Sequence, residues 1–168
     1  DAAAVADPKL VASSPEEMTD LSANRLAAII VSYNSEHYLV ECLKSLYSET
    51  DETGFQVVVV DNASRDPAYL NAAAGMFPKL RLIRNADNIG FAKACNQGIR
   101  TCSADVYLLI NPDCVVQNRA TEKCLSYLAA HPRTGIVGCR VENPDGTLQL
   151  ACRRTIPRPT SALYHLTG

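Results

Sequence analysis

The feature that most restricts this chain is a set of short apolar runs, each stopping abruptly on polar residues. Ile29-Ile30-Val31 runs into Ser32-Tyr33-Asn34, Val57-Val58-Val59-Val60 into Asp61-Asn62, and Leu108-Leu109-Ile110 into Asn111-Pro112-Asp113. A fourth segment, Asn88-Ile89-Gly90-Phe91-Ala92 through Asn96, opens a helix. Such runs read as strands buried on both faces of a parallel sheet. Ligands of open α/β sheets sit outside the carboxyl ends of the strands, so Asp61 and Asp113 are expected to converge on one crevice.

Strand-like and helix-like stretches alternate along the chain. The patterning predicts strands over 26–31, 56–60, 80–83, 106–110, 136–141 and 147–152. Helices are expected over 36–48, from Asp66-Pro67 to about 76, and over about 90–102 and 118–130. Leu39, Cys42, Leu43 and Leu46 form the inward side of the first, and Phe91, Ala94, Cys95 and Ile99 that of the third. The 80–83 strand alternates, which places it near an edge. Asn143-Pro144-Asp145-Gly146 signals a turn between the last two strands. The fold class that follows is α/β: a doubly wound, mostly parallel sheet with a late β-hairpin. Residues 1–24 are expected to be a tail holding a short helix that begins at Ser14-Pro15-Glu16-Glu17. The domain itself covers 25–156, and 157–168 form a second tail.

Composition narrows the classes of function. A length of 168 residues suits one domain, and a net charge of −2 argues against nucleic acid as a partner. No apolar run reaches the ~18 residues of a membrane span, and the N-terminus lacks the order of a signal peptide. Contact with a membrane is thus at most peripheral. The seven cysteines show no CxxC or CxxH spacing, so a structural zinc is not expected. They read as buried thiols in a reducing cytoplasm. The chain begins with aspartate, which reads as a processed, trimmed or renumbered terminus.

Each polar stop has two readings. Asp61 can accept hydrogen bonds from a base or a ribose, or it can cap its own turn. Asp113, stiffened by Pro112, can tether a divalent cation that also binds substrate phosphates, or it can simply complete an Asn-Pro-Asp turn. Asn88, Gly90, Phe91, Ala92, Lys93 and Asn96 offer close backbone approach and helix amides suited to an anion, or an ordinary cap. Ser32, Tyr33 and Asn34 can line a base pocket, the tyrosine by stacking, or form a loop with Ser35 as helix cap. Arg140, Arg153, Arg154 and Arg158 can meet phosphate or anionic lipid, or form a solvated face. The glycine fingerprint of a dinucleotide site is absent.

Taken together, the segments resemble family 2 glycosyltransferases, especially the rhamnosyltransferase-like branch. The elements are Val31-Ser32-Tyr33-Asn34, Val60-Asp61-Asn62-Ala63-Ser64, Asn88-Ile89-Gly90-Phe91-Ala92 with Asn96-Gln97-Gly98, Leu109-Ile110-Asn111-Pro112-Asp113 and Asn143-Pro144-Asp145-Gly146. The resemblance implies a GT-A fold, an inverting displacement by an acceptor hydroxyl, and a nucleoside diphosphate sugar, dTDP-rhamnose or a UDP-sugar, as donor. It implies that Asp61 contacts the base, that Ser32, Tyr33 and Asn34 line its pocket, and that Asn88, Gly90, Phe91, Lys93 and Asn96 border the nucleotide. Asp113 matches the second acid of the family's metal motif, with Asn111 in place of the first, and so implies Mg or Mn as cofactor. The acceptor would be a saccharide or lipid-linked, at the cytoplasmic side or the inner face of a membrane.

The family's catalytic base lies on a later, acceptor-side segment, usually a Glu-Asp pair, and no such pair occurs here. No catalytic residue is therefore assigned. The expectation is a donor-binding half that binds nucleotide better than it transfers sugar, general-base help of ~10²–10⁴-fold being missing. Such a half can pair with a copy of itself through surface the remainder would cover. Two other readings stand beside it: a catalytically silent nucleotide-sugar-binding module, and a Rossmann-like scaffold acting through protein contacts.

Overall fold

A computed structural model of the protein describes residues 26–50 and 54–152. The tails expected over 1–24 and 157–168, and Arg153, Arg154 and Arg158, lie outside these. The chain divides into two compact units between Val137 and Gly138, within the span expected to be one domain.

Among the described residues of the first unit four strands alternate with four helices. They are β1 (Leu26–Ser32), α1 (Leu39–Glu49), β2 (Phe55–Asp61), α2 (Ala68–Met76), β3 (Leu80–Arg84), α3 (Phe91–Arg100), β4 (Val106–Ile110) and α4 (Ala120–Ala130). All pairings are parallel, in the order β3-β2-β1-β4, so β3 is at an edge as expected. Successive side chains of a strand point to opposite faces. Leu26, Ala28, Ile30, Phe55, Val57 and Val59 meet Leu39, Cys42, Leu43 and Leu46 of α1 and Leu70 and Ala73 of α2, with Leu125 of α4 alongside. On the other face Ala27, Ile29, Val31, Val58 and Val60 pack against Ala94 and Cys95 of α3. Each large side chain so buried contributes about 1.5–3 kcal/mol, which is why the two central strands are continuous apolar runs.

Four expectations need correction. The β4 run is not buried on both faces: Leu109 is 51% exposed, because β4 has a neighbour on one side only and α3 lies over β1 and β2. Phe91 does not point inward but is 54% exposed, since α3 meets the sheet only from Ala94 onward. Ser35 does not cap α1. Its carbonyl accepts the amides of Tyr38 and Leu39 in a preceding turn, and its hydroxyl faces Tyr33. Cys139 and Cys152 are exposed rather than buried.

In the second unit the turn at 143–146 forms, with the Gly146 amide donating to the Asn143 carbonyl at 2.9 Å. The flanking hairpin reduces to a single antiparallel bridge, Glu142 to Leu148, and Leu150–Cys152 is a 3₁₀ turn. Strand formation depends on neighbours to pair and pack against, and a lone two-stranded hairpin is marginal. Asp145 accepts both the amide and the hydroxyl of Thr147, which holds its carboxyl below the usual range. Arg140 pairs with Glu142 at 2.8 Å.

Candidate functional site

The register places the polar stops on one edge. Ser32 pairs with Asp61, and Asp61 with Arg84. Ile30 pairs with Ile110, so Asn111 leaves the sheet beside the end of β1. The strand order reverses at β1, with β2 and β3 on one side and β4 on the other. That reversal is where open α/β sheets bind ligands.

The loops after β1 and β2 are laced together. Asn34, held at a φ of 51°, receives the Arg65 amide on its side-chain oxygen at 2.9 Å, while its own amide donates to Ser64 Oγ at 2.9 Å. Tyr69 of α2 places its phenol 2.8 Å from the hydroxyls of both Ser32 and Ser64. Ser32 is wholly buried, and the neighbouring Tyr33 ring is 48% exposed at the edge. Asp61 is also buried; one carboxylate oxygen accepts the Ser64 amide at 3.1 Å, and its second oxygen receives no hydrogen bond from any described residue. The turn-capping and ligand-facing readings of Asp61 are therefore compatible, one oxygen for each.

Asn62 carries the connection onward. Its amide donates to the Ser32 carbonyl at 2.8 Å, and its side chain donates to Asn88 Oδ1 at 2.6 Å. Asn88 Oδ1 also accepts the Gly90 amide at 3.0 Å. Gly90 has a φ of 85° with open space where a side chain would stand, so the backbone conformation, not crowding, requires glycine. The first amides of α3 have no intrahelical acceptor, and Asn88, Phe91, Lys93 and Asn96 are exposed around them.

The segment after β4 is strapped onto α1. Cys42, Ser45 and Glu49 share one helix face. The Cys42 thiol donates to the Asn111 carbonyl at 3.6 Å, Ser45 Oγ accepts the Val116 amide at 2.9 Å, and Glu49 accepts the Arg119 amide at 2.8 Å. The Cys114 amide also donates to the Asn111 carbonyl, at 3.2 Å. This closes a turn with Pro112 at the position that favours proline and leaves Asn111 and Asp113 exposed. Burial, with Cys114 and Asp113 adding in the same direction, pushes the Cys42 thiol up to about 12. Among the described residues no three His, Cys, Asp or Glu side chains gather as a metal cluster. Asp113 and Asn111 offer hard oxygen donors, and these fit a cation of the Mg type, whose shell is completed by substrate phosphates and water. Among the described residues no helix is long and apolar enough to cross a membrane.

The expected site residues thus lie at the last residues of β1 and β2, on the loops that follow β1, β3 and β4, or within the first two turns of α3, and all but Ser32 and Asp61 are exposed. No described hydrogen bond joins Asp113 to the others; it shares their edge. Sequence reasoning passed over Tyr69 and Asn85 and quoted Ser64 and Gln97 only as members of family-like segments, yet the polar groups of all four link these loops. No periodic signal marks such residues.

Comparison with known proteins follows the same lines. The model of glycosyl transferase family 2 matches residues 27–165. An N-acetylglucosaminyl-diphospho-decaprenol L-rhamnosyltransferase of Mycobacterium tuberculosis is 27% identical over 148 residues, 82% of this chain and 46% of that protein. An uncharacterized glycosyltransferase of Haemophilus influenzae is 30% identical over 112 residues, 67% of this chain and 37% of its own length. The chain spans less than half the length of each. Among solved structures, the mannosyltransferase PcManGT from Pyrobaculum calidifontis, in complex with GDP-Man and Mn2+, matches with a TM-score of 0.62 and 28% identity, over 83% of this chain and 40% of that one. TarS of S. aureus in complex with UDP matches with a TM-score of 0.57 over 64% of this chain and 33% of that one. Its 24% identity shows the shared fold alone.

Proposed function

The chain belongs to glycosyl transferase family 2, and from that premise we propose that it is the donor-binding half of an enzyme that moves a sugar from a nucleoside diphosphate to a hydroxyl acceptor. One observation carries the reading. The ends of β1, β2 and β4 and the start of α3 present Tyr33, Asn34, Asp61, Lys93 and Asp113 along a single edge, where the strand order reverses. The similarity to PcManGT, solved with GDP-Man and Mn2+, supports a nucleotide-sugar donor and a divalent cation. The similarity to the M. tuberculosis N-acetylglucosaminyl-diphospho-decaprenol L-rhamnosyltransferase supports a rhamnosyl donor and a lipid-linked or saccharide acceptor. The donor we propose is dTDP-rhamnose or a UDP-sugar, and the acceptor is met at the inner face of a membrane.

The residues divide the work by chemistry. The second oxygen of Asp61 accepts from the base, the exposed Tyr33 ring stacks on it, and Ser32, itself out of reach of solvent, fixes that loop. Asn34, Asn88, Gly90, Phe91, Lys93 and Asn96 border the rest of the nucleotide, with the lysine ammonium countering its charge. Asp113, beside Asn111, would hold a Mg or Mn ion, which would supply positive charge to offset that of the leaving diphosphate. In the inverting displacement the acceptor oxygen bonds to the sugar carbon as the bond to the diphosphate breaks, and the acceptor proton passes to a base. We assign that base to no residue of this chain.

Calorimetric titration of UDP, dTDP and GDP, with and without manganese, tests the assignment on wild type and Asp113→Ala. The expected result is binding that manganese strengthens in the wild type but not in the variant. A folded wild type that binds none of the three would overturn the reading.

A further inference from the structure

Asn85 and Gln97 face each other as a closed amide pair. The Asn85 side-chain amide donates to Gln97 Oε1 at 3.0 Å, and Gln97 Nε2 returns a bond to Asn85 Oδ1 at 2.9 Å. From this pair the contacts run outward. Asn85 Nδ2 also donates to Asn62 Oδ1 at 3.2 Å, and the same oxygen accepts the Ile89 amide at 3.1 Å. The Asn85 backbone amide donates to the Asp61 carbonyl at 2.9 Å. Through Asn62 the chain of bonds reaches Ser32 and Asn88, and through Asn88 it reaches Gly90. Three elements that share no backbone hydrogen-bond ladder with α3, namely the ends of β1, β2 and β3, are so tied to its start. Asn62 is buried, and Asn85 and Gln97 are half-buried, so water competes weakly for these groups.

We propose that Asn62, Asn85 and Gln97 are positioning residues of the nucleotide site. The relay sets the start of α3 against the ends of β1 and β2 before the ligand arrives, so that binding does not have to order the 88–93 segment. This rests on the donor-site reading above. None of the three is asked to touch the ligand. Gln97 matters because it is the only one of them on α3, and it closes the pair from within the helix. Preorganisation of this kind raises affinity by lowering the ordering cost of binding.

The test uses Gln97→Ala, Gln97→Glu and the length-conserving double swap Asn85→Gln with Gln97→Asn. Three quantities are measured on each full chain: UDP affinity by calorimetry, hydrogen exchange at the Ile89 and Gly90 amides, and the unfolding midpoint. Loss of one such link is expected to weaken UDP about three- to tenfold and to speed exchange at Ile89 and Gly90, while the swap brings both back to within about twofold of wild type. Gln97→Glu keeps length and an acceptor but loses the donor, and it decides the matter if the alanine variant does not fold. UDP affinity unchanged in a folded Gln97 variant overturns the inference, as does a loss that only follows the folded fraction and that the swap does not restore. A wild type that binds no UDP, dTDP or GDP overturns the donor-site reading instead, so the two failures are told apart.

Discussion

The phenol oxygen of Tyr69 lies 2.8 Å from the hydroxyl of Ser32 and 2.8 Å from that of Ser64. One residue of α2 thereby pins the loops that follow β1 and β2. Ser32 is wholly buried, and a buried hydroxyl stripped of its partner costs about 1–3 kcal/mol. Tyr69→Phe is expected to destabilise the fold by about that amount and to weaken nucleotide binding, because Ser32 and Ser64 lose their common anchor. Removing both partners should cost less than the sum of the parts, since Ser32→Ala leaves no orphaned group. Urea unfolding of the two single variants and the double variant checks this; strict additivity would mean that the 2.8 Å contact contributes nothing.

Gly98 sets how closely α3 lies on the sheet. A methyl group added there would stand 2.7 Å from Ile29 Cγ2 and 3.2 Å from Val60 Cγ2, and both of those side chains are buried in β1 and β2. Alanine ordinarily improves a helix by about 1 kcal/mol over glycine. Here overpacking opposes that gain, and a net loss of about 1–3 kcal/mol is expected for Gly98→Ala. Gly75, with nothing within 4 Å of an added methyl, is the control: Gly75→Ala should stabilise or be neutral. Thermal unfolding of the two variants side by side reads the difference directly.

How much of this was legible beforehand depends on what kind of signal each feature leaves. The apolar runs of β1 and β2 announce burial on both faces, and the polar residues that end them announce the site. Asp61 and Asp113 could be expected on one edge because each follows such a run, whereas Asn111 gained a role only through the family resemblance. The run in β4 looks the same, yet Leu109 is half exposed. A hydrophobic run records that a strand forms, not which neighbours cover it. Phe91 was misplaced for a related reason, because periodicity does not say where along a helix contact with the sheet begins. The turn at 143–146 was legible in its residues, whereas its flanking strands needed partners that local pattern cannot supply. Tyr69 with Ser32, and Asn85 with Gln97, are 37 and 12 positions apart. Single polar residues that meet only through the fold carry no period to detect.

The Cys42 thiol bonds to the carbonyl of Asn111 from the buried side of α1, and its pKa stands at about 12 against an ordinary 9.0. Two outcomes follow. Iodoacetamide at about pH 8 should label exposed Cys139 and Cys152 while sparing Cys42, since the thiolate is the reactive form. Stability should also fall at alkaline pH. Below 9.0 the thiol is protonated in both states and its contribution is whole. Above 9.0 the unfolded chain releases this proton while the folded chain keeps it, so the contribution is lost progressively toward pH 12. Cys42→Ser keeps a donor for Asn111 and should reduce the alkaline slope by up to about one proton, or about 1.4 kcal/mol per pH unit. Mass spectrometry after labelling and urea titrations across this range measure the two effects. Rapid labelling of Cys42 in the folded chain would contradict both.

The proposed donor site assigns Asp61 and Asp113 to opposite ends of the ligand. Asp61 ends β2, Ser32 beside it ends β1, and Asn111 follows β4 on the far side of β1. Two strand spacings of about 4.8 Å separate the β2 and β4 positions, or about 10 Å along the edge. On the donor-site reading proposed above, a base held at Asp61 would direct its phosphates toward Asp113. Asp61→Asn should weaken uridine and UDP by the same factor, about tenfold or more for loss of a charged hydrogen-bond acceptor. Asp113→Asn should leave uridine unaffected, because a nucleoside has no phosphate to share a cation with, and should remove only the manganese-dependent part of UDP affinity. Calorimetry with uridine and UDP, each with and without manganese, separates the two carboxylates in one matrix of measurements. If Asp113→Asn weakened uridine as much as UDP, Asp113 would act on the nucleoside or on the fold of its loop, and the assignment of the diphosphate end would be wrong.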